Sequence, residues 1–295
     1  MAQRLDRLHI DGFSIFQDGE KFCYGIDAVL LADFALRGAS DVKGVSSVKG
    51  EDAGRGASAV KGAASGKEQS TVKGGGKNSR GFRFFDLGCG NGIIPILLAA
   101  KTSGDVKITG IEIQPDVVAM ARRSVEINGL EGRIEVLEGD IKNIAAEFEK
   151  GCADAVVSNP PYMLVSEGRQ SSNFSRMAAR QEILCCLEDV VRAAGFLLAE
   201  GGQFFMIHRP QRLEEIFALL EKFRFGKVFW REVKPLESRE ATMVLVRAEK
   251  RWGQDGWQEG SALEKCRLED LVIYESSSPR RYTAEVFEIY GRKNQ

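Results

Sequence analysis

The residues best suited to chemistry follow a short apolar run in the stretch DAVVSNPPY. The run AVV is typical of a buried strand, and it is interrupted by Asn159, Pro160, Pro161 and Tyr162. Each proline fixes its own φ and lacks a backbone N–H, so the turn after the strand should be stiff. The side-chain oxygen of Asn159 and the carbonyl of Pro160 are hydrogen-bond acceptors, and the Tyr162 ring offers a face for stacking.

This set of groups suits a planar amine whose lone pair is delocalised into a ring. Acceptors can bind the N–H groups of such an amine while an aromatic ring stacks on its base. The chemistry that the motif indicates is methyl transfer to an sp² amine. A Pro-Pro turn that merely ends a strand is the alternative, and the tripeptide Asn-Pro-Pro alone does not separate the two interpretations.

A glycine loop lies upstream in the stretch FFDLGCGNG, where Asp86, Gly88, Gly90 and Gly92 follow a D-x-G-x-G-x-G spacing. Glycines allow a strand-to-helix turn to adopt positive φ and let a ligand lie against bare backbone. A nicotinamide dinucleotide site would require glycine at the sixth position of G-x-G-x-x-G, where this chain has Ile93. The loop therefore favours a ligand without phosphate, such as adenosylmethionine.

Two further acids follow the next two predicted strands. Glu112 ends the second strand, 20 residues after Gly92, and Asp140 ends the third in the stretch LEGDIKN. Because ligands of parallel sheets bind outside the carboxyl ends of the strands, both carboxylates should face one crevice beside Asp86. There Glu112 would accept from ribose hydroxyls and Asp140 from an adenine amino group. Taken singly, each acid could also be a solvated loop residue or a helix cap.

The elements that must position these residues alternate regularly from Gly81 onward. The apolar patterns predict strands at 82–87, 106–113, 133–137, 153–158, 203–208, 227–233 and 241–248. They predict helices at 93–100, 115–128, 143–149, 177–199 and 211–223. No helix separates the last two strands, so one of them should run antiparallel at or near the edge. The expected fold is α/β, with a seven-stranded, mostly parallel, Rossmann-like sheet that contains one antiparallel strand.

The chain divides into three predicted parts. Residues 1–37 indicate a pair of short strands and a helix at about 26–36 that pack on the main domain. Residues 38–80 are rich in Gly, Ser, Ala and Lys, contain no aromatic residue and repeat Val-Lys-Gly four times, which is typical of a disordered insert. Residues 81–295 should form the main domain, in which a polar loop after Lys250 precedes a small final strand and helix.

Composition excludes several classes of protein. The 295 residues carry a formal net charge of −1 and include six cysteines and two histidines. No segment approaches the roughly 20 apolar residues of a spanning helix, and the first residues lack a signal-peptide core, so we expect a cytoplasmic protein without membrane contact. The cysteines form no C-x-x-C pair and no metal-like spacing, so we expect no metal. Cys89 is interpreted as a small packing residue, and His208 as a structural histidine.

In their order and spacing, DLGCGNG, GIEIQP, EGDIKN and VSNPPY resemble the class I adenosylmethionine-dependent methyltransferases with an N/D-P-P-Y/F motif. The flanking stretches YGIDAVLLADFA, Arg180-Gln181-Glu182 and YTAEVFEIY look like the bacterial methyltransferases that act on adenine N6 in the anticodon loop of valine tRNA. The resemblance implies a class I methyltransferase fold, adenosylmethionine as the cofactor and tRNA as the substrate of a monomeric enzyme. The long insert at 38–80 departs from the family pattern, in which the connection is short.

The resemblance also implies roles for individual residues. Asn159, Pro160, Pro161 and Tyr162 would hold the target amine. Asp27 would lie near the methionine end of the cofactor, although a helix N-cap is an equally good interpretation of this residue. The full implied cofactor-binding set is Asp27, Asp86, Gly88, Cys89, Gly90, Gly92, Glu112, Ile113, Asp140, Ile141 and Asn159.

Three other functions remain open. The NPPY motif also serves methylation of a glutamine amide in proteins such as release factors, but those enzymes usually carry an N-terminal helical bundle where this chain has strand character. Methylation of guanine N2 in ribosomal RNA typically comes with a duplicated domain, for which the chain is too short. The chain could also be a non-catalytic RNA-binding module on a decayed methyltransferase fold. The intact Asn159 and glycine loop argue against this interpretation.

Basic residues gather toward the C-terminus and are candidate contacts for RNA, although a charge run is more commonly a solvated face. They are Arg247, Lys250, Arg251, Lys265, Arg267, Arg280, Arg281, Arg292 and Lys293.

Overall fold

The computed structural model describes residues 3–10, 12–19, 23–39, 81–102, 105–160, 186–251 and 262–291. Residues 40–80 of the predicted insert lie outside this part of the chain. So do Pro161, Tyr162 and the stretch Arg180-Gln181-Glu182.

The described residues form thirteen strands and seven α-helices. The strands are β1 (Gln3–Arg7), β2 (Ser14–Asp18), β3 (Arg83–Leu87), β4 (Lys107–Glu112), β5 (Ile134–Glu138), β6 (Ala153–Ser158), β7 (Leu198–His208), β8 (Phe225–Lys234), β9 (Met243–Lys250), β10 (Glu264–Arg267), β11 (Leu271–Val272), β12 (Tyr274–Ser277) and β13 (Arg280–Tyr282). The helices are α1 (Ile26–Ala39), α2 (Ile93–Lys101), α3 (Pro115–Ile127), α4 (Ile144–Glu147), α5 (Leu187–Leu197), α6 (Leu213–Lys222) and α7 (Ala284–Ile289).

Nine of these strands form the central sheet, whose main path has the order β10-β8-β9-β7-β6-β3-β4-β5. Strands β7, β6, β3, β4 and β5 are parallel to one another, and β9 runs antiparallel between β7 and β8. The predicted mostly parallel sheet with one antiparallel strand is therefore correct. The predicted strand count was too low, because β10 and β11 add to the sheet as parallel partners of β8. Strand β10 falls in the stretch that was predicted to be a polar loop.

Several helix and strand boundaries differ from prediction. Helix α1 continues to Ala39, three residues further than expected, and its Gly38 lies so close to the Phe205 ring that an added Cβ would stand 2.5 Å from it. This glycine therefore permits close packing rather than ending the helix. The described part of the predicted helix 177–199 is α5, which ends at Leu197 and leads directly into β7, so that strand begins earlier than predicted. The predicted final strand, 271–275, is divided between β11, which pairs with β8, and β12, which forms a hairpin with β13.

Two apolar layers enclose the sheet. Helices α1, α2 and α3 contribute to one core and α5 and α6 to the other. Neighbouring residues on a strand belong to opposite layers, as Phe84 and Phe85 on β3 do, because successive strand side chains point to opposite faces. None of the described helices combines the length and the apolar character that crossing a membrane requires.

The N-terminal hairpin of β1 and β2 packs beside α3. The Asn128 side chain accepts from the Ser14 N–H at 2.9 Å and donates to the Ser14 carbonyl at 2.7 Å. The Phe16 N–H donates to the Ser124 hydroxyl at 3.1 Å, and the Arg123 guanidinium lies 4.1 Å from the centre of the Phe16 ring. These contacts hold the hairpin against the C-terminal end of α3.

Candidate active site

Four of the predicted site residues come from four adjacent parallel strands. Asp86 is the penultimate residue of β3, Glu112 ends β4, Asp140 is the second residue after β5, and Asn159 follows β6 directly. Asp86 stands in register with Gly110 of β4 on one side and Val157 of β6 on the other. Since neighbouring strands are about 4.8 Å apart, the glycine loop and Asn159 occupy adjoining positions along one edge.

The glycine loop connects β3 to α2 in a backbone conformation that suits glycine. Gly88, Gly90 and Gly92 have φ values of 75°, 55° and 85°, a region that L side chains rarely adopt. The N–H groups of Gly88 and Cys89 both donate to the Ile111 carbonyl, at 2.9 and 3.0 Å. These bonds fold the loop over the end of β4 and leave its glycine surface facing the edge of the sheet.

Glu112 braces this loop. Its Oε2 accepts from the Gly90 N–H at 3.1 Å and its Oε1 from the Gln114 N–H at 3.0 Å. The side chain is buried, with 7% of its surface exposed. A carboxylate can accept about four hydrogen bonds, so both oxygens keep capacity for ligand hydroxyls while they hold the loop.

Asp86 is fully buried, and neither of its carboxylate oxygens has a hydrogen-bond partner in the part of the chain that the structure describes. Burial raises the pKa of Asp86 well above its usual value, and the nearby charge of Glu112 raises it further. The neighbouring Cys89 thiol is buried too. Burial, with the Asp86 and Glu112 charges, raises its pKa well above the ordinary range, which disfavours the nucleophilic thiolate.

The third acid has a local structural role. Asp140 caps a 3-10 turn at Ile141–Asn143, because its Oδ1 accepts from the Lys142 N–H at 2.9 Å. Its Oδ2 lies 3.5 Å from the Lys142 ammonium. Ile141 is buried behind it, whereas Ile113 is half-buried beyond the end of β4. The two isoleucines provide apolar surface on the adenine side of the predicted cofactor position.

Asn159 meets Asp27 at the opposite end of this edge. The Nδ2 of Asn159 donates to Asp27 Oδ2 at 3.0 Å, although the two residues are 132 positions apart. Asp27 lies in the first turn of α1. Asn159 is half-buried and Pro160 is buried, whereas Pro161 and Tyr162 lie outside the described residues.

Sequence reasoning missed three residues that support the site. The buried Ser158 hydroxyl donates to the Leu87 carbonyl at 2.8 Å and so ties the end of β6 to the end of β3. Asn91, in the glycine loop, donates from its amide to the Phe16 carbonyl of the hairpin at 3.2 Å. Gly110 leaves room for Cys89, whose sulfur would be 2.8 Å from an added Cβ. Only their closeness to recognised motifs could have indicated them.

His208, at the end of β7, is 1% exposed, and its Nδ1 accepts from the Arg209 N–H at 2.8 Å. Burial, assisted by the charge of Arg212, lowers the pKa of His208 to about 4. A neutral ring at physiological pH that accepts from the backbone of the next residue fits the predicted structural role.

Several basic residues proposed as RNA contacts are engaged within the protein. The Lys250 ammonium donates to the Phe223 carbonyl at 2.9 Å, and burial lowers its pKa to about 8. Arg251 donates to the Phe225 carbonyl at 3.2 Å. Arg267 lies 3.1 Å from the Asp270 carboxylate. Arg280 and Arg281 are exposed on the β12–β13 hairpin, and Arg292 and Lys293 lie outside the described residues.

The described residues fit adenosylmethionine, which is a cationic ligand without phosphate. A carboxylate that finds no hydrogen-bond partner among the described residues, Asp86, stands at the edge of the glycine loop, where an ammonium group would satisfy it. Glu112 and Asp140 add acceptors along the same edge. No group of three or more histidine, cysteine, aspartate or glutamate side chains in the described ranges could hold a metal ion.

Comparison with known proteins agrees with this site. A family model described as a methyltransferase domain matches residues 78–227. The tRNA1(Val) (adenine(37)-N6)-methyltransferase of Aeromonas hydrophila is 26% identical over 192 residues, which are 65% of this chain and 74% of that protein. The protein of the same name from Yersinia pestis is 30% identical over 143 residues, 47% of this chain and 54% of that protein.

A solved structure extends the likeness to the fold. The crystal structure of a predicted O-methyltransferase from Agrobacterium tumefaciens has a TM-score of 0.55 and 27% sequence identity, and covers 72% of this chain and 91% of that one.

Proposed function

Because the chain belongs to the methyltransferase domain family, we propose that it transfers the methyl group of adenosylmethionine to the exocyclic N6 amine of an adenine in tRNA, in the anticodon loop of a valine tRNA. The observation that carries the proposal is the position of Asn159. Its carboxamide directly follows β6, the strand that pairs with the glycine-loop strand β3, so the acceptor for an amine adjoins the predicted cofactor site.

The residues present account for the reaction without a strong base. Adenosylmethionine supplies an electrophilic methyl group. Asn159 and the Pro160 carbonyl would accept from the N–H groups of the adenine amine and orient its nitrogen as it pyramidalises, after the base has left its stack. The amine nitrogen loses its acidic proton after transfer. Tyr162, which lies outside the described residues, would stack on the base.

The choice of an adenine in tRNA rests on the relatives. The proteins from Aeromonas hydrophila and Yersinia pestis are both named as adenine-N6 methyltransferases of valine tRNA. The first of them shares nearly two thirds of this chain, a span that reaches beyond the cofactor-binding half.

The test is to incubate the purified protein with radiolabelled adenosylmethionine and total tRNA from a strain that lacks the activity, and to digest the RNA to nucleosides. We expect labelled N6-methyladenosine in one tRNA, and no label with Asn159→Ala. Label in N2-methylguanosine, or label that enters only protein, would refute the proposed substrate. Label in N2-methylguanosine would indicate methylation of guanine in RNA, and label that enters only protein would indicate methylation of a glutamine amide, as in a release factor.

A further inference from the structure

We propose that Asp27 is a positioning residue for methyl transfer, which sets the orientation of the Asn159 carboxamide. The inference rests on the proposed function, in which Asn159 accepts from the substrate amine. Its starting point is the 3.0 Å bond from Asn159 Nδ2 to Asp27 Oδ2. It assigns Asp27 to the acceptor side of the site, where the sequence indicated only nearness to the methionine end of the cofactor.

The charge on the Asp27 carboxylate determines which way the amide faces. A carboxylate only accepts hydrogen bonds, so the nitrogen of the Asn159 amide, and not its oxygen, must be directed at Asp27. The amide oxygen then lies on the other side of the side chain, turned away from α1. The arrangement therefore points the acceptor of Asn159 away from Asp27 and its donor toward it.

The backbone of Asn159 is restricted on both sides. The preceding residue, Ser158, is tied to β3 by its hydroxyl, and Pro160 fixes its own φ and restricts the residue before it. A flipped Asn159 amide would place its oxygen against the Asp27 carboxylate and present N–H₂ to the N–H groups of the substrate. Asp27 supplies the contact that selects one of the two orientations.

The support behind Asp27 is rigid. The residues that follow it on α1, Ala28 to Ala32, are all buried, and the helix packs against α2, β6, β7 and β9. Gly25 completes the arrangement, since an added Cβ there would stand 2.7 Å from Asp27 Oδ1. A side chain at position 25 would displace the carboxylate without entering the protein core.

The test compares four variants with the wild-type protein. Asp27→Ala removes the acceptor, Asp27→Asn keeps an oxygen that can accept from Asn159, and Gly25→Ala leaves Asp27 in place but pushes its carboxylate aside. Gly132→Ala is the matched control, because an added Cβ at Gly132 meets nothing within 4 Å. For each protein, kcat and KM are measured with adenosylmethionine and tRNA, and the Kd of adenosylmethionine is measured by calorimetry.

Loss of a hydrogen bond to a charged group corresponds to roughly a 10- to 100-fold effect. We expect kcat to fall by about this factor in Asp27→Ala and Gly25→Ala, with the Kd of adenosylmethionine within about threefold of wild type. Asp27→Asn should recover most of the rate, and Gly132→Ala should behave as wild type. Unchanged kcat in Asp27→Ala, or a large rise in the Kd with kcat preserved, would overturn the positioning role.

A spectroscopic measurement keeps this inference separate from the proposed function. The chain contains seven asparagines, so [15N]asparagine labelling gives few side-chain amide signals, and the Asn159 signal is the one that Asn159→Ala removes. We expect that signal to shift in Asp27→Ala and Gly25→Ala and to stay in place in Gly132→Ala. If the wild-type protein methylates no tRNA but these shifts occur, the proposed substrate is refuted and the bond between Asp27 and Asn159 is supported. If no shift occurs, the positioning role of Asp27 is refuted.

Discussion

Asp86 is completely buried, and its two carboxylate oxygens have no hydrogen-bond partner within the described ranges; its burial raises its pKa. Asp86→Asn should therefore stabilise the ligand-free protein. The pKa of this carboxyl group is higher in the folded than in the unfolded state. As the pH rises above the unfolded-state pKa, the free energy of unfolding decreases, because the unfolded chain releases its proton first. The free energy of unfolding falls by about 1.4 kcal/mol for each pH unit, and it stops falling once the pH exceeds the raised pKa of the folded state.

The same substitution should weaken adenosylmethionine binding. An ammonium group of the ligand beside Asp86 would supply the hydrogen-bond donor and the positive charge that the described residues do not provide there. A hydrogen bond to a charged group contributes about 1.5–3 kcal/mol. We expect the affinity of Asp86→Asn to fall about 10- to 100-fold. In the wild-type protein the affinity should also decrease as the pH falls below the raised pKa, by about tenfold per pH unit, because binding must then release a proton.

The assay is chemical denaturation of both proteins without ligand from pH 5 to pH 7.5, combined with calorimetry in two buffers of different ionisation enthalpy. The stability advantage of Asp86→Asn should grow with pH, and wild-type binding should release protons that the variant does not. Asp105→Asn, which changes an exposed aspartate before β4, is the control and should show neither effect. A stability difference that does not vary with pH, together with equal affinities, would refute the reasoning.

Three further substitutions test the neighbouring contacts. Asn159→Ala should lower kcat by about 10²–10³, with the Kd of adenosylmethionine within a few fold, and a collapse of affinity would instead make Asn159 a cofactor residue. Glu112→Ala removes the acceptors of the Gly90 and Gln114 N–H groups, so calorimetry should show about 10- to 100-fold weaker cofactor binding, and unchanged binding would contradict the bracing of the loop. Asn128→Ala should lower the free energy of unfolding by about 1–3 kcal/mol, because it removes both hydrogen bonds to Ser14. Asn143→Ala, at a helix cap without a side-chain hydrogen bond, is its control and should change denaturation by about 0.5 kcal/mol or less.

The parallel sheet and the edge that carries the site were predictable because both follow from local patterns. Apolar runs separated by helical periods imply parallel strands, and parallel strands place their carboxyl ends together. Asp86, Glu112, Asp140 and Asn159 could be assigned to one edge without any knowledge of tertiary contacts. Local roles were harder to foresee, since the same position allows Glu112 to bind a hydroxyl or to brace the loop, and the structure shows that it braces the loop.

What could not be predicted depends on contacts between distant parts of the chain. Strand β10 is short and polar, and it becomes a strand only because β8 offers an unpaired edge. Gly38 resembles a helix stop until the Phe205 ring is seen against it. The bond between Asp27 and Asn159 has no signal in either local stretch, because an aspartate in the first turn of a helix is already explained by the helix itself.

The N-terminal segment contributes to both halves of the candidate site. The hairpin holds the glycine loop through the bond from Asn91 to the Phe16 carbonyl, and α1 holds the acceptor loop through Asp27. Seven residues, 19–25, separate β2 from α1 in the sequence. The sheet sets the spacing of the strand ends, but it does not determine how the Asn159 carboxamide is turned. That orientation comes from a helix that precedes the sheet in the chain, and for this reason the first 39 residues are part of the active site that we propose.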